Sequence, residues 1–117
     1  LRFKDNIKQE LGMEVELTNK QWHDIRFALR LIIRHKHNAH KSELINDAIK
    51  AIVDKDGKQD VESQLMFRHY YIEGWGITKI VMNMYYEEST VRKHIKKATE
   101  QFAEVYDGGH LLKMFME

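Results

Sequence analysis

The residues best placed to do chemistry in this 117-residue chain are cations rather than nucleophiles. Between Ser89 and Thr99 stand Arg92, Lys93, Lys96 and Lys97 with no acid among them, a local charge of +4. Val91, Ile95, Ala98, Phe102 and Val105 recur at spacings of three and four through and beyond the same stretch. A helix here therefore holds its charge opposite an apolar stripe. Ammonium and guanidinium groups along one helix face suit phosphate, and arginine or lysine can also reach guanine O6 and N7 in a major groove. A solvated basic face is the plainer reading of the same charge. A second basic run comes earlier: Arg26, Arg30, Arg34, Lys36 and Lys41 give +5 between Ile25 and Ser42, again without an acid. Its three arginines recur every four residues on one helical face. They are candidates for secondary phosphate contacts, for pairing with acids such as Asp47 or Glu62, or for facing water.

Other chemistries find less. The chain has no cysteine, which removes disulfides, thiol catalysis and cysteine-ligated zinc, and fits a reducing cytoplasm. His35-Lys-His37-Asn-Ala-His40 is the candidate metal motif, because imidazoles three apart on a helix suit zinc, copper or nickel. No carboxylate lies at helical spacing before Glu43, so the motif reads as a polar helix end carrying neutral histidines, and neither metal nor cofactor is expected. His23, His69 and His94 read as packing or surface residues. Ser42, Ser63 and Ser89 fall at or near predicted helix starts, where capping accounts for them. No catalytic residue is expected.

The elements that must position the basic faces are helices throughout. Phe3, Ile7 and Leu11 predict a short helix over 1–11, stopped at Gly12. Thr18 and Gln21 form a capping box opening a second, with Trp22, Ile25, Leu29, Ile32 and Ile33 on one face, running to about Arg34. Ser42 reads as the cap of a third, with Leu44, Ile45, Ala48, Ile49, Ile52 and Val53 inward until Asp54-Lys-Asp-Gly-Lys. Asp60 caps a fourth, which turns Leu65, Met66, Phe67, Tyr70 and Ile72 to a core and ends at Glu73-Gly74. Ile77, Ile80, Val81 and Met84 then line a helix of about two turns. Tyr85-Tyr-Glu connects it to the longer basic helix, a helix-turn-helix pattern.

Here the residues resemble known families. Tyr70-Tyr-Ile-Glu-Gly-Trp-Gly-Ile-Thr-Lys-Ile-Val-Met-Asn-Met-Tyr-Tyr-Glu-Glu-Ser-Thr-Val-Arg-Lys-His-Ile is similar to the helix-turn-helix of sigma factor region 4 and its phage relatives. Ala98 followed by Phe102-Ala-Glu-Val-Tyr-Asp-Gly-Gly-His-Leu-Leu resembles the close of the ArpU family of phage and prophage transcriptional regulators. The resemblance covers about residues 65 to 112 and implies DNA-binding control of phage late or host cell-envelope genes, without enzymatic activity. Two positions depart from the pattern. Glu87 stands where relatives carry a capping serine, so Ser89 is the alternative cap; Glu87 and Glu88 would repel phosphate unless one accepts from cytosine N4. Tyr85 and Tyr86 occupy a turn that often holds glycine, so Tyr85 or a neighbour is expected in the αL region.

Together these readings predict an all-α domain of five to six helices ending in a C-terminal helix-turn-helix, with an N-terminal helical part over 1–56 and a DNA-binding part over 60–117 packed as one unit. The expected function is sequence-specific binding of double-stranded DNA to regulate transcription. In that reading Arg92 or Lys93 pairs with guanine, Ser89 and Thr90 contact bases, Lys96 and Lys97 lie near the backbone, and Arg26, Arg30 and Arg34 add phosphate contacts. The alternatives are a small terminase subunit, an RNA-polymerase-binding sigma-like adaptor and, last, a histidine-metal hydrolase. The apolar Leu111–Met116 tail requires cover from the domain itself, a second protomer or RNA polymerase. A net charge of +1, from 19 basic and 18 acidic residues, speaks against a nucleic-acid binder until it is divided by segment. No apolar run is long enough to span a membrane and no signal peptide is legible, so a cytoplasmic protein is expected. The start at Leu1 rather than Met leaves room for a missing N-terminal segment.

Overall fold

Thr18 opens the described chain as a helix cap. Its hydroxyl accepts from the Gln21 N–H at 3.2 Å while the Gln21 side chain accepts from the Thr18 N–H at 3.0 Å, the reciprocal capping box legible in the sequence. The computed structural model describes residues 18–35, 38–111 and 113. The helix expected over 1–11 lies outside them, as do Lys36, His37 and all of the 112–117 tail except Lys113. Five α-helices follow in order: α1 Asn19–Arg34, α2 Ala39–Lys50, α3 Val61–Phe67, α4 Ile77–Met84 and α5 Glu88–Val105. A π-helical turn, Arg68–Ile72, continues α3, and a short 3₁₀ turn, Tyr106–Gly109, follows α5. Among the described residues there is no strand, only an isolated bridge between Val53 and Gln59. No helix described is long and apolar enough to cross a membrane.

The third predicted helix starts earlier than expected. Asn38, not Ser42, caps α2: its side chain accepts from the Lys41 N–H at 2.8 Å, and the Ser42 N–H already bonds the Asn38 carbonyl. Asparagine caps at least as well as serine, and this start adds a full turn of backbone bonds. The α3 stripe is rotated too. Ser63, Met66, Phe67, Tyr70 and Tyr71 are buried, whereas Leu65 is 42% and Ile72 45% exposed, contrary to the inward placement predicted for both. The buried set itself has helical spacing, and it brings two adjacent aromatic rings into the core. Asp60 caps α3 as expected, accepting from the Ser63 N–H at 3.1 Å.

The core is organised around α5, which touches each of the other four α-helices. Phe102 stacks on Phe67 at 4.7 Å and on Tyr106 at 5.2 Å, and Phe67 meets Tyr71 at 4.6 Å. The stripe runs through Val91, Ile95, Ala98, Thr99, Phe102 and Ala103; Val105, expected in it, is 45% exposed because Ala103 and Tyr106 carry the face onward. On the far side the Gln101 amide bonds both the N–H and the carbonyl of Val53, at 2.7 and 3.0 Å, tying the α2–α3 connection to α5. Gly109 turns the chain back with φ of 79°; a Cβ there would sit 2.9 Å from the Glu104 carbonyl oxygen. Leu111 then packs into the domain's own core.

One buried polar contact crosses this core. The Thr99 hydroxyl has a single proton, given to the Ile95 carbonyl at 2.7 Å, so the Tyr71 phenol donates to Thr99 Oγ1 at 2.9 Å. Burial pushes the Tyr71 phenol well above its ordinary range, and the bond to Thr99 opposes this only in part. Tyr106 is pushed the same way, chiefly by burial. Because folding raises the phenol's pKa, the unfolded chain loses its proton first, and stability falls as pH climbs above about 10. Urea denaturation across that range should give a shallower fall for Tyr71→Phe than for the parent; equal slopes would show that this phenol does not titrate with unfolding.

Candidate nucleic-acid interface

Eight residues of α4, three of connection and the first turns of α5 set the geometry of the basic face. Ile80 is buried, and Ile77, Val81 and Met84 pack against the core, so α4 lies flat on the domain through the face its sequence predicts. Its entry is held by an aromatic stack. The His69 ring lies on Trp75 at 3.8 Å and 3°, His69 pairs with Glu73, and the Lys79 ammonium sits 4.5 Å over the Trp75 ring. Its exit is Tyr85, in the αL region at φ 60° and ψ 35°, as the missing glycine implied. The Tyr85 N–H closes onto the Val81 carbonyl at 3.0 Å, and the side chain is 91% exposed.

Glu87 is the N-cap of α5, with no hydrogen bond from its side chain, and Ser89 lies inside the first turn. The alternative start two residues later is therefore not the one adopted. Ser89, Arg92, Lys93 and Lys97 are exposed, while Thr90 and Lys96 are half-buried. Arg92 Nε donates to Glu88 Oε2 at 3.2 Å between two side chains that are both more than half exposed. Such a surface pair contributes roughly 0.2–1 kcal/mol, little enough for a phosphate or a base edge to displace it. Spacing of i and i+4 made this pair legible in the sequence, where Glu88 is read only for its effect on phosphate and on cytosine N4.

The two basic runs meet, although only in part. A cavity of about 410 Å³ opens between α1 and α5, with Trp22, Tyr70, Ile77 and Ile95 as apolar wall. Arg26, Arg92, Lys93 and Lys96 supply its charge, and no carboxylate lines it among the described residues. Arg26 is fixed by its neighbours: Nη1 donates to Tyr70 Oη at 3.3 Å, Nη2 to His23 Nδ1 at 3.1 Å, and the guanidinium lies 5.7 Å from the Trp22 ring centroid. Arg30 instead lies over the Tyr70 ring at 4.9 Å, and Arg34 is exposed in the last turn of α1. Among the described residues none of the three arginines forms an ion pair, with Asp47, Glu62 or any other acid.

Sequence reasoning passed over one polar cluster behind α5. The Ser63 hydroxyl lies 2.8 Å from Asp60 Oδ2 and 2.7 Å from His94 Nδ1. Its one proton goes to the carboxylate, so the imidazole donates to Ser63 Oγ through Nδ1–H. An activated serine has the opposite polarity, with the hydroxyl donating to the imidazole. The cluster instead ties the start of α3 to the outer half of α5, and Tyr86 of the connection packs at 6.0 Å from the His94 ring. His35 and His40 are exposed at neighbouring helix ends. Among the described residues no group of three or more His, Asp or Glu could hold a metal ion.

No family model matches the chain, and neither does any curated protein or solved structure compared with it. The geometry of α4 and α5 must carry the functional reading.

A non-glycine residue in αL costs about 1 kcal/mol or more, and an exposed Tyr85 side chain has little packing to lose. Tyr85→Gly should therefore raise the urea midpoint, by about 0.5–1 kcal/mol of stability. A lowered midpoint would show that the tyrosine side chain, and not the backbone, sets the energetics of this turn.

Proposed function

We propose that the protein is a sequence-specific double-stranded DNA-binding transcriptional regulator in which α4, the three-residue connection and α5 act as a helix-turn-helix. The observation that carries this is the division of α5: its apolar stripe is sunk in the core while Ser89, Arg92 and Lys93 project from its N-terminal half. That half of the second helix is the part that enters a major groove in helix-turn-helix proteins. Arg92 or Lys93 then reads guanine, Ser89 and Thr90 contact neighbouring bases, and Lys96 and Lys97 lie along the phosphates. The resemblance of residues 65 to 112 to ArpU-family phage regulators and to sigma region 4 points the same way.

The reading gives different roles to neighbouring cations, which a salt titration separates. On a cognate duplex, Arg92→Ala should cost roughly 1–3 kcal/mol and relax the preference at one base position. Lys96→Ala should weaken binding evenly across sequences and lower the salt slope by about 1. If both variants bound cognate duplex like the parent throughout, α5 would not be the recognition helix.

A further inference from the structure

The cavity between α1 and α5 has features that major-groove reading by α5 does not use. Arg26 belongs to a different helix from the recognition residues and is half-buried at the cavity wall. A guanidinium has five N–H donors. Two of them are spent, on Tyr70 Oη and His23 Nδ1, which leaves three without a partner among the described residues. The bonds it does make are to neutral acceptors, so they orient the fork without cancelling its charge.

Lys96 faces the same space, half-buried and with no ion pair among the described residues, and Lys93 stands beside it at the rim. Cations held together with no carboxylate beside Arg26, Lys93 or Lys96 among the described residues raise the local potential and favour an anion that bridges them. The apolar wall formed by Trp22, Ile77 and Ile95 offers a packing surface to the organic group that carries the anion. A volume of about 410 Å³ falls within the usual range of sites for small organic ligands and exceeds the needs of a lone inorganic ion.

We propose that this cavity is a phosphate site, in which Arg26 and Lys96 hold one phosphoryl group across the α1–α5 junction and the apolar wall receives the group that carries it. Two sources share that chemistry: the backbone of the bound duplex, and a free phosphate ester of nucleotide size. A backbone phosphate would make α1 part of the DNA surface, an arm that rests on the reading of α5 given above. A free ester would occupy Lys96 and the rim of the recognition helix, and so would compete with the duplex; that arm stands without the DNA reading.

Trp22 lines the cavity and reports on it directly. The chain has two tryptophans, so Trp75→Phe leaves Trp22 as the sole tryptophan, excited selectively at wavelengths that tyrosine does not absorb. In that background, emission is titrated with inorganic phosphate, with adenosine 5′-monophosphate and with the selected duplex, ionic strength being held constant with chloride. At least one phosphate-bearing ligand should give a saturable change that chloride does not. Arg26→Gln should weaken it about tenfold, the size of one charge-assisted contact. Arg26→Lys, which keeps the charge and loses the fork, should fall between, and thermal melts show whether each variant is folded. Saturation by the monophosphate assigns the site to a free ester, whereas saturation by duplex alone assigns it to the backbone. The proposal is overturned if no phosphate-bearing ligand saturates, if chloride gives the same response, or if folded Arg26→Gln keeps the parent's affinities. Duplex binding that needs Arg92 but not Arg26, with neither inorganic phosphate nor the monophosphate bound through Arg26, would overturn this site and leave the DNA reading intact; monophosphate binding that needs Arg26, with no duplex bound, would do the reverse.

Discussion

Val91, Ile95, Ala98, Thr99 and Phe102 are each no more than 1% exposed, and their burial decides where every other side chain of α5 points. A helix advances 100° per residue, so a stripe fixed at these positions sets Ser89, Arg92, Lys93 and Lys97 on the outer side. Each large apolar side chain in the stripe contributes roughly 1.5–3 kcal/mol by leaving water, more than any surface pair the helix makes. The Tyr71–Thr99 bond adds direction, since its partners must stay aligned for the phenol to be satisfied inside the core. The basic face is thus held in place by the opposite face.

The remaining elements brace α5 from several sides. Gln101 clasps the backbone of Val53, Ser63, itself bonded to Asp60, holds His94, and α4 is seated by Ile80 beneath and by the His69–Trp75 stack at its entry. The left-handed Tyr85 links α4 to α5 in three residues, too few for the two helices to swing independently. Such bracing keeps the outer side chains in a fixed array before any ligand arrives, which lowers the ordering cost of binding.

The all-helical class and most helix bounds were legible because the apolar residues keep helical spacing and the caps are strong. Thr18 with Gln21 and Asp60 behaved as local chemistry requires. Asn38 was missed because the polar His-Lys-His-Asn stretch reads as a loop, although its side chain caps as well as serine does. Leu65 and Ile72 were misplaced because hydrophobicity alone ranks leucine and isoleucine above Ser63 and Tyr71. The structure buries the latter pair instead, giving each a hydrogen-bond partner. On the candidate interface, the basic face of α5 and the αL turn were legible. The meeting of Arg26 with α5 was not, since residues 26 and 96 are brought together only by tertiary packing. The same limit hid the contact between Ser63 and His94, which are 31 residues apart.

A net charge of +1 conceals this arrangement, because a count over the whole chain does not show the +4 carried between Ser89 and Thr99. If the protein reads DNA as proposed, near-neutrality limits non-specific attraction to the duplex and leaves recognition to the few cations that packing aligns. Selection of bound sequences from a random pool of duplex DNA tests this most directly. The account predicts enrichment of a defined sequence, with the preference lost when the outer face of α5 is altered. A pool that stays random after repeated rounds, at salt low enough for non-specific binding to be seen, would contradict it.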